Sequence, residues 1–393
     1  MPPSRALPHP SDVSAYCREW PVLLECASPR SDVRKLSELI RAADWPRLLC
    51  LAEEHGVVGH LAAASRKLDS ALIPPEIEKA LADQQRAQVL FSLRMTAELF
   101  RVLECFASVG IEALVVKGPV LAVEAYGDPA MRSYGDLDLL VRGRDIRRAT
   151  EVMIASGYDA KVPLTAIDAG KIPGQYLFYK ADTKLLVELH NDRTLRYFPR
   201  RLPLEKFFAR QIRVPLDAHE APALSVEDEL VLISIHGAKH FWERLMWIAD
   251  VAALITRQSG IDWQRVDASA QEVGAVRMLD TGLRLAAELL RARLPETVQA
   301  GVEADAAAGR LTRRISNWLP AAGHAPPGLI ERAMFRMRMR GGLLSGPAYL
   351  VRLSFSPTEE DWNEQGRESG HRPTDVLRRP FRLARKYRRD GKS

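Results

Sequence analysis

The sequence predicts an α+β protein in which a small mixed-sheet core is flanked by helical regions on its N-terminal and C-terminal sides. Three observations carry this. Apolar residues recur at helical spacing from about 32 to 105, short β-branched runs replace them from Gly110 to about His190, and helical spacing returns at Ser225 and lasts to about Trp318. A chain of 393 residues, 47% hydrophobic and 27% charged, has the composition of an ordinary globular protein with two or three domains. The expected organisation is an N-terminal helical region over 1–106, an α/β core over 107–215, a C-terminal helical region over 216–330 and a basic helical tail over 331–393.

The elements follow in order. In DWPRLLCLAEEHGV, Asp44 stands as an N-cap, Pro46 sits in the first turn, Leu48, Leu49, Leu51 and Ala52 form an apolar face, and His55-Gly56 ends the helix. Pro74-Pro75 restarts the chain, and a long helix with Ile77, Leu81, Val89, Leu93, Leu99 and Leu103 as its apolar members runs from Glu76 to Phe106. Residues 111–116, IEALVV, read as a buried strand. Lys117-Gly118-Pro119 turns the chain, 120–126 is a short helix with Pro at its start, and Asp136 to Val141 is a second strand. Asp145 caps a helix ending at Gly157, and QYLFYK and KLLVELH flank Ala181-Asp182-Thr183 as a hairpin. Ser225 and Asp228 before an apolar run resemble a capping box.

Composition also excludes. No run approaches the roughly 18 apolar residues of a membrane span, and MPPSRALPHPSDV has no apolar signal region, so a cytoplasmic protein without a membrane partner is expected. Four scattered cysteines, Cys17, Cys26, Cys50 and Cys105, argue against a disulfide framework or a zinc ribbon. The net charge of +6 is local: residues 376–393 carry +7, leaving the rest near −1. Such a tail can touch nucleic-acid phosphates; alternatively Leu377, Phe381, Ala384 and Tyr387, at helical spacing, dock it on the body.

The candidate chemistry centres on Gly135-Asp136-Leu137-Asp138. Strand periodicity puts Asp136 and Asp138 on one face, where two carboxylates repel unless a hard cation such as magnesium lies between them. An Asp-x-Asp alone is weak, since a chain of this composition holds roughly one by chance. Its surroundings strengthen it. Gly118 lets backbone amides approach a phosphate at a helix N-terminus, Lys117 adds a point charge, and Arg132 offers bidentate phosphate binding. In Val187-Glu188-Leu189-His190 the alternation puts Glu188 and His190 on one face, where Glu188 can complete a two-metal site for a triphosphate. His236 and His240 share a helical face, as zinc ligands can. Gly237 stands where a zinc protease needs Glu, however, which favours Trp242, Leu245, Trp247 and Ile248 as core and pairs Arg244 or Asp250 with a salt bridge or substrate.

In LVVKG (114–118), Tyr126-Gly127-Asp128, Arg132, GDLDLLV (135–141), VELH (187–190) and HGAKHFWERLMWIAD (236–250), together with DWPRLLCLAEEHGV, the chain resembles the DNA polymerase β-like nucleotidyltransferase superfamily. More closely, it is similar to the bacterial group known as the uncharacterised nucleotidyltransferase family, over about 35–260 and weakly on to SPTEEDW (356–362). The resemblance implies a nucleotidyltransferase-type core, with Asp136, Asp138 and Glu188 as ligands of two magnesium ions and Lys117-Gly118 as the phosphate-side turn. It departs from the superfamily there: Gly-Ser, about ten residues before Asp-x-Asp, is usual, and here the turn is Lys-Gly with a longer gap. The implied activity is transfer of a nucleoside monophosphate from an NTP, ATP first among them, to an acceptor hydroxyl with release of pyrophosphate. The acceptor stays open between an RNA end, a protein side chain and a small metabolite or peptide, with His190, His236, His240, Trp242 and Arg244 as candidates for its pocket. The alternative is a catalytically silent nucleotide-binding or interaction module on the same scaffold. Repulsion between the apo carboxylates further predicts that Asp138→Asn stabilises the metal-free protein.

Overall fold

The computed structural model describes residues 18–168, 174–193, 200–321 and 329–340, so the basic segment 376–393 lies outside the described residues. Four short helices open it: α1 (Glu19–Ala27), α2 (Val33–Ile40), α3 (Trp45–Glu54) and α4 (Val58–Ser65). Their starts are chemically marked, since the Asp32 carboxylate accepts from the amides of Arg34 and Lys35 and Asp44 accepts from Arg47. Helix α5 (Pro75–Ser108) begins on a proline whose missing N–H costs nothing in a first turn, and it runs 34 residues.

The sheet unit follows as β1 (Ala113–Val116), α6 (Gly118–Tyr126), β2 (Asp136–Val141), α7 (Ile146–Ala155), β3 (Asp159–Ala160), α8 (Leu164–Asp168), β4 (Gln175–Lys180), β5 (Leu185–His190), α9 (Leu204–Ala209), β6 (Ile212–Leu216) and β7 (His219–Ala223). These seven strands form one mixed sheet in the order β3-β4-β5-β2-β1-β7-β6. Pairs β2/β5 and β1/β7 are parallel and the others antiparallel. The sheet runs past 215, because the hairpin β6–β7 carries it to Ala223. At the start of α7, Asp145 occupies the N-cap position, yet its side chain makes no cap bond, because its own backbone is already helical. Ser225 does cap, accepting from the Asp228 amide.

Seven helices complete the described chain: α10 (Val226–Lys239), α11 (Leu245–Arg257), α12 (Trp263–Val273), α13 (Val276–Leu290), α14 (Glu296–Ala304), α15 (Ala306–Trp318) and α16 (Leu329–Met339). Among the described residues no helix is long and apolar enough to cross a membrane.

Alternation along the strands feeds two cores. Leu137, Leu139 and Val141 of β2 and Val187 and Leu189 of β5 point to one face, against Met95, Leu99, Val102 and Phe106 of α5 and Ile146, Ala149 and Met153 of α7. On the opposite face Leu114, Val116 and Leu140 join a larger core with α6, α10, α11 and α13. The N-terminal helices belong to that second core rather than to one of their own. Ser28 Oγ donates to Leu290 O at 2.8 Å, and the amides of Leu245 and Met246 donate to His55 Nδ1 and O at 3.2 and 3.1 Å. Helix α5 spans both cores, with Ile77 and Leu81 in the larger and Met95 to Phe106 in the smaller.

Candidate metal centre and its cavity

The sheet face that meets α10 and α11 carries the polar residues. In the parallel register of β2 and β5, Asp138 lies opposite Glu188 and Leu140 opposite His190. Period-two alternation therefore brings Asp136, Asp138, Glu188 and His190 to one face, while Leu137, Val187 and Leu189 anchor the other. His190 Nε2 lies 2.7 Å from Asp138 Oδ1 and 3.4 Å from Glu188 Oε2. Gln175, entering from β4, donates to Glu188 Oε2 at 2.6 Å.

Asp138, Glu188 and His190 each offer one donor atom, all within 4.8 Å of one another, the one such group found among the described residues. Asp136 is outside this group, half-buried at the N-terminal end of β2, and burial together with the neighbouring Asp138 charge pushes its carboxyl above the ordinary range. The sequence pointed to Asp136, Asp138 and Glu188 as one set. The structure gathers Asp138 and Glu188 with His190, a residue expected only at the acceptor pocket.

Lys117 and Gly118 sit directly beside them. Lys117 has φ 58° and ψ −138°, and Gly118 has φ 51°, so the turn after β1 is left-handed at both positions. For Lys117 this is strained backbone, and the buried Glu229 carboxylate secures it by accepting the Lys117 amide at 2.9 Å. The side chain returns over the sheet to put Nζ 2.6 Å from Asp138 Oδ2 and 3.4 Å from His236 Nδ1. Both Asp138 oxygens are thus engaged by cationic or donor partners. Burial alone would raise its carboxyl, but Lys117 and His190 outweigh that and hold it well below the usual carboxylate range. Burial likewise opposes the charge on Lys117 and His190, and Asp138 more than restores it, so both stand above their ordinary values. A Cβ built on Gly118 meets nothing within 4 Å, which leaves the N-terminus of α6 open to a ligand.

These groups line a cavity of about 480 Å³. Its far wall comes from α10, the turn after it and α11: His236, Lys239, His240, Arg244 and Trp247. The rings of His236, His240 and Trp247 pack together with centroids 4.7–5.4 Å apart. Burial, with Lys117 and Lys239 nearby, lowers His236 well below its ordinary pKa and His240 to about 3, so both stay neutral. Neither is in the metal-capable group.

One expected site residue lies elsewhere, and another is tied down at the wall. Trp242 is fully buried and contributes nothing to the cavity wall, where Trp247 stands instead. Phe241 and Trp242 have φ of 61° and 53°, a left-handed pair that turns the indole inward; a Cβ on Gly237 would stand 2.5 Å from it and one on Gly282 2.9 Å. Gly237 is therefore the space Trp242 fills. Arg132 reaches the cavity wall, but its Nε donates to Asp250 Oδ2 at 2.8 Å, and Tyr126 donates to Oδ1 of the same carboxylate at 2.9 Å. Asp250 is thus paired with Arg132 rather than Arg244, which is exposed.

Glu229, Gln175 and Trp247 escaped the sequence as site residues. Glu229 leaves a trace, since Glu229, Leu232, His236 and Lys239 fall at helical spacing, which puts Glu229 on the helix face that carries His236. Gln175 and Trp247 leave none.

No protein among the curated collections matches this chain significantly. A solved structure to which it is similar is an antigenic nucleotidyltransferase-like protein from Paracoccidioides brasiliensis, with 12% identity and a TM-score of 0.30 over 53% of this chain and 93% of that one. A family model covers most of the structure just described, both strands of the Asp138–Glu188 pair and the wall opposite them. Residues 41–291 match it, and the chain belongs to the uncharacterised nucleotidyltransferase family.

Proposed function

We propose that this protein transfers a nucleoside monophosphate from an NTP, with ATP the first candidate, to an acceptor hydroxyl in a magnesium-dependent reaction in the cytoplasm. The acceptor oxygen bonds to the α-phosphorus, the bond from that phosphorus to the α–β bridging oxygen breaks, and pyrophosphate leaves. The observation that carries the reading is the parallel register of Asp138 and Glu188 on the wall of a cavity large enough for a nucleotide. The carboxylates of Asp136, Asp138 and Glu188 are the hard oxygen donors magnesium takes, so the residues fit the ion. Bound there, magnesium supplies charge neutralisation for the triphosphate and the transition state.

The chain's own groups have separate tasks in this reading. Lys117 leaves Asp138 for the departing phosphates, and the amides at Gly118 receive the phosphate side. Arg132, with its Nε fixed by Asp250, adds positive charge from the wall. Glu188 takes the proton of the acceptor hydroxyl. The neutral His236 and His240, with Trp247 and Arg244, form the acceptor side, for an RNA end, a protein side chain or a small metabolite or peptide. Nucleic-acid contact through the basic tail belongs to the first of these.

One observation favours a second reading, a catalytically silent nucleotide-binding or interaction module. The Lys117–Asp138 pair already neutralises the carboxylate without an ion. Purified protein incubated with isotope-labelled NTPs and cell extract, with and without magnesium, separates the two by mass spectrometry. Magnesium-dependent appearance of the labelled nucleotide mass on an acceptor supports transfer. Absence of NTP consumption across RNA, protein and metabolite acceptors leaves the silent module, nucleotide-binding if NTP still binds and an interaction module if it does not.

A further inference from the structure

Three carboxylates suffice for the scheme above, and His190 has no task in it. Its geometry supplies one. Nε2 stands 2.7 Å from Asp138 Oδ1 and 3.4 Å from Glu188 Oε2, and the donor atoms of all three lie within 4.8 Å. Around an ion with donors at about 2.1 Å, neighbouring donors sit about 3 Å apart and opposite ones about 4.2 Å, so small side-chain shifts close the group onto one ion. Three further features suit a ligand set. The residues come from adjacent parallel strands, which are rigid supports. Gln175 orients the Glu188 carboxylate with a bond at 2.6 Å, the kind of outer partner that ligating carboxylates have. His190 is half-buried on the cavity wall rather than in the core.

An imidazole nitrogen discriminates among ions. Magnesium is hard, takes oxygen and gives up water reluctantly, whereas first-row transition ions bind imidazole readily. We propose that His190 Nε2 joins Asp138 and Glu188 in ligating one divalent ion, and that this mixed set selects a first-row transition ion such as Mn2+ over Mg2+. The position made of Asp136 and Asp138 oxygens alone keeps no such preference. This rests on the reading of the cavity as a metal-dependent transferase site.

Pulsed electron paramagnetic resonance of Mn2+ added to the full-length protein tests it without reference to activity. Wild-type protein should show 14N modulation from a coordinated imidazole. It should disappear in His190→Gln and persist in His236→Gln and His240→Gln, the other two imidazoles on the wall. Calorimetric titrations should give a Mn2+ preference over Mg2+ of about tenfold or more, falling by roughly that factor in His190→Gln. Should His190→Gln not fold, wild-type modulation that survives both other variants identifies His190 by elimination. Mn2+ bound with no nitrogen coupling overturns the proposal and leaves the oxygen-only site standing. Failure of either ion to bind, with and without a non-hydrolysable NTP analogue, overturns the transferase reading itself.

Discussion

Asp138→Asn is the substitution on which the structure reverses the expectation from sequence. Two carboxylates on one strand face repel, which argues that losing one stabilises the metal-free protein. Asp138, however, is a buried anion with Lys117 Nζ at 2.6 Å and His190 Nε2 at 2.7 Å. Asp136 lies two residues along the strand, about 6.6 Å away by strand rise, where like-charge repulsion amounts to about 1 kcal/mol at an effective dielectric of about 50, between the surface-pair value of about 20 and that of water. Removing one partner of a fully buried pair costs about 3–5 kcal/mol. Asn keeps one acceptor oxygen, and Lys117 retains 17% exposure, so a loss of about 2–3 kcal/mol is the appropriate scale before the relief of repulsion. The net expectation is destabilisation by about 1–2 kcal/mol, read as a shift in urea midpoint in chelator-treated buffer. The sign of its pH dependence follows from His190. Its folded pKa is raised, so its contribution is complete below the unfolded value of about 6.5 and fades as pH rises through the folded value. The gap between wild type and variant should therefore be widest near pH 6 and narrow as pH rises through the folded value, leaving the Lys117 part. A variant as stable as wild type at pH 6, or more stable, refutes the ion-pair argument.

The same variant should consume NTP about 10²–10³-fold more slowly, on the order of 3–4 kcal/mol in the barrier, measured as pyrophosphate release. Gly237→Ala, which on an ordinary helix stabilises by about 0.5–1 kcal/mol, should here destabilise by about 3 kcal/mol, because the new methyl meets Trp242 at 2.5 Å; thermal unfolding checks it. Glu124 is buried with Oε2 unpartnered, and burial with Glu229 beyond it pushes its carboxyl up to about 8. The folded state holds a proton there that the unfolded chain releases near pH 4.5, so stability falls as pH rises from about 4.5 to 8. Glu124→Gln should accordingly flatten the wild-type decline over that interval and gain on the order of 2 kcal/mol at pH 8. Arg132→Gln leaves Asp250 buried with Tyr126 alone and should cost about 3 kcal/mol or more, visible as a lowered denaturation midpoint.

What the sequence made legible were features that neighbouring residues determine. Strand β2 stands at Asp136–Val141 because two aspartates alternate with Leu137 and Leu139 before a short apolar end, and the β4–β5 hairpin because two apolar runs flank a polar turn. Helix α1 escaped because EWPVLLECA is nine residues long and has Arg18, which makes no side-chain cap bond, where α3 has the capping Asp44. Strands β6 and β7, IRVPL and HEAPA, each contain a proline that reads as a strand breaker; in β6 it is tolerated at the edge of the sheet. In the site, the shared face of Asp136 and Asp138 and that of Glu188 and His190 follow from period two. Which of them meet depends on the register between β2 and β5, and the intervening segment does not reveal it. The same holds for Arg132 and Asp250, 118 residues apart in sequence, and for Trp242, whose inward turn depends on two left-handed residues that no local pattern announces.

The union of α1 and α13 in one core sets a clock on biosynthesis. Val22 and Leu23 of α1 are wholly buried, and Ser28 bonds to Leu290, 262 residues further on. At about 5–20 residues per second, a ribosome takes roughly 13–50 s to deliver that partner. Through this interval the sheet and its α5–α7 face can already close, while the inner faces of α1–α4 wait exposed for α11 and α13. Arrested nascent chains ending soon after Ala223 should bind chaperones through those faces, and release from the chaperone should require synthesis to pass Leu290.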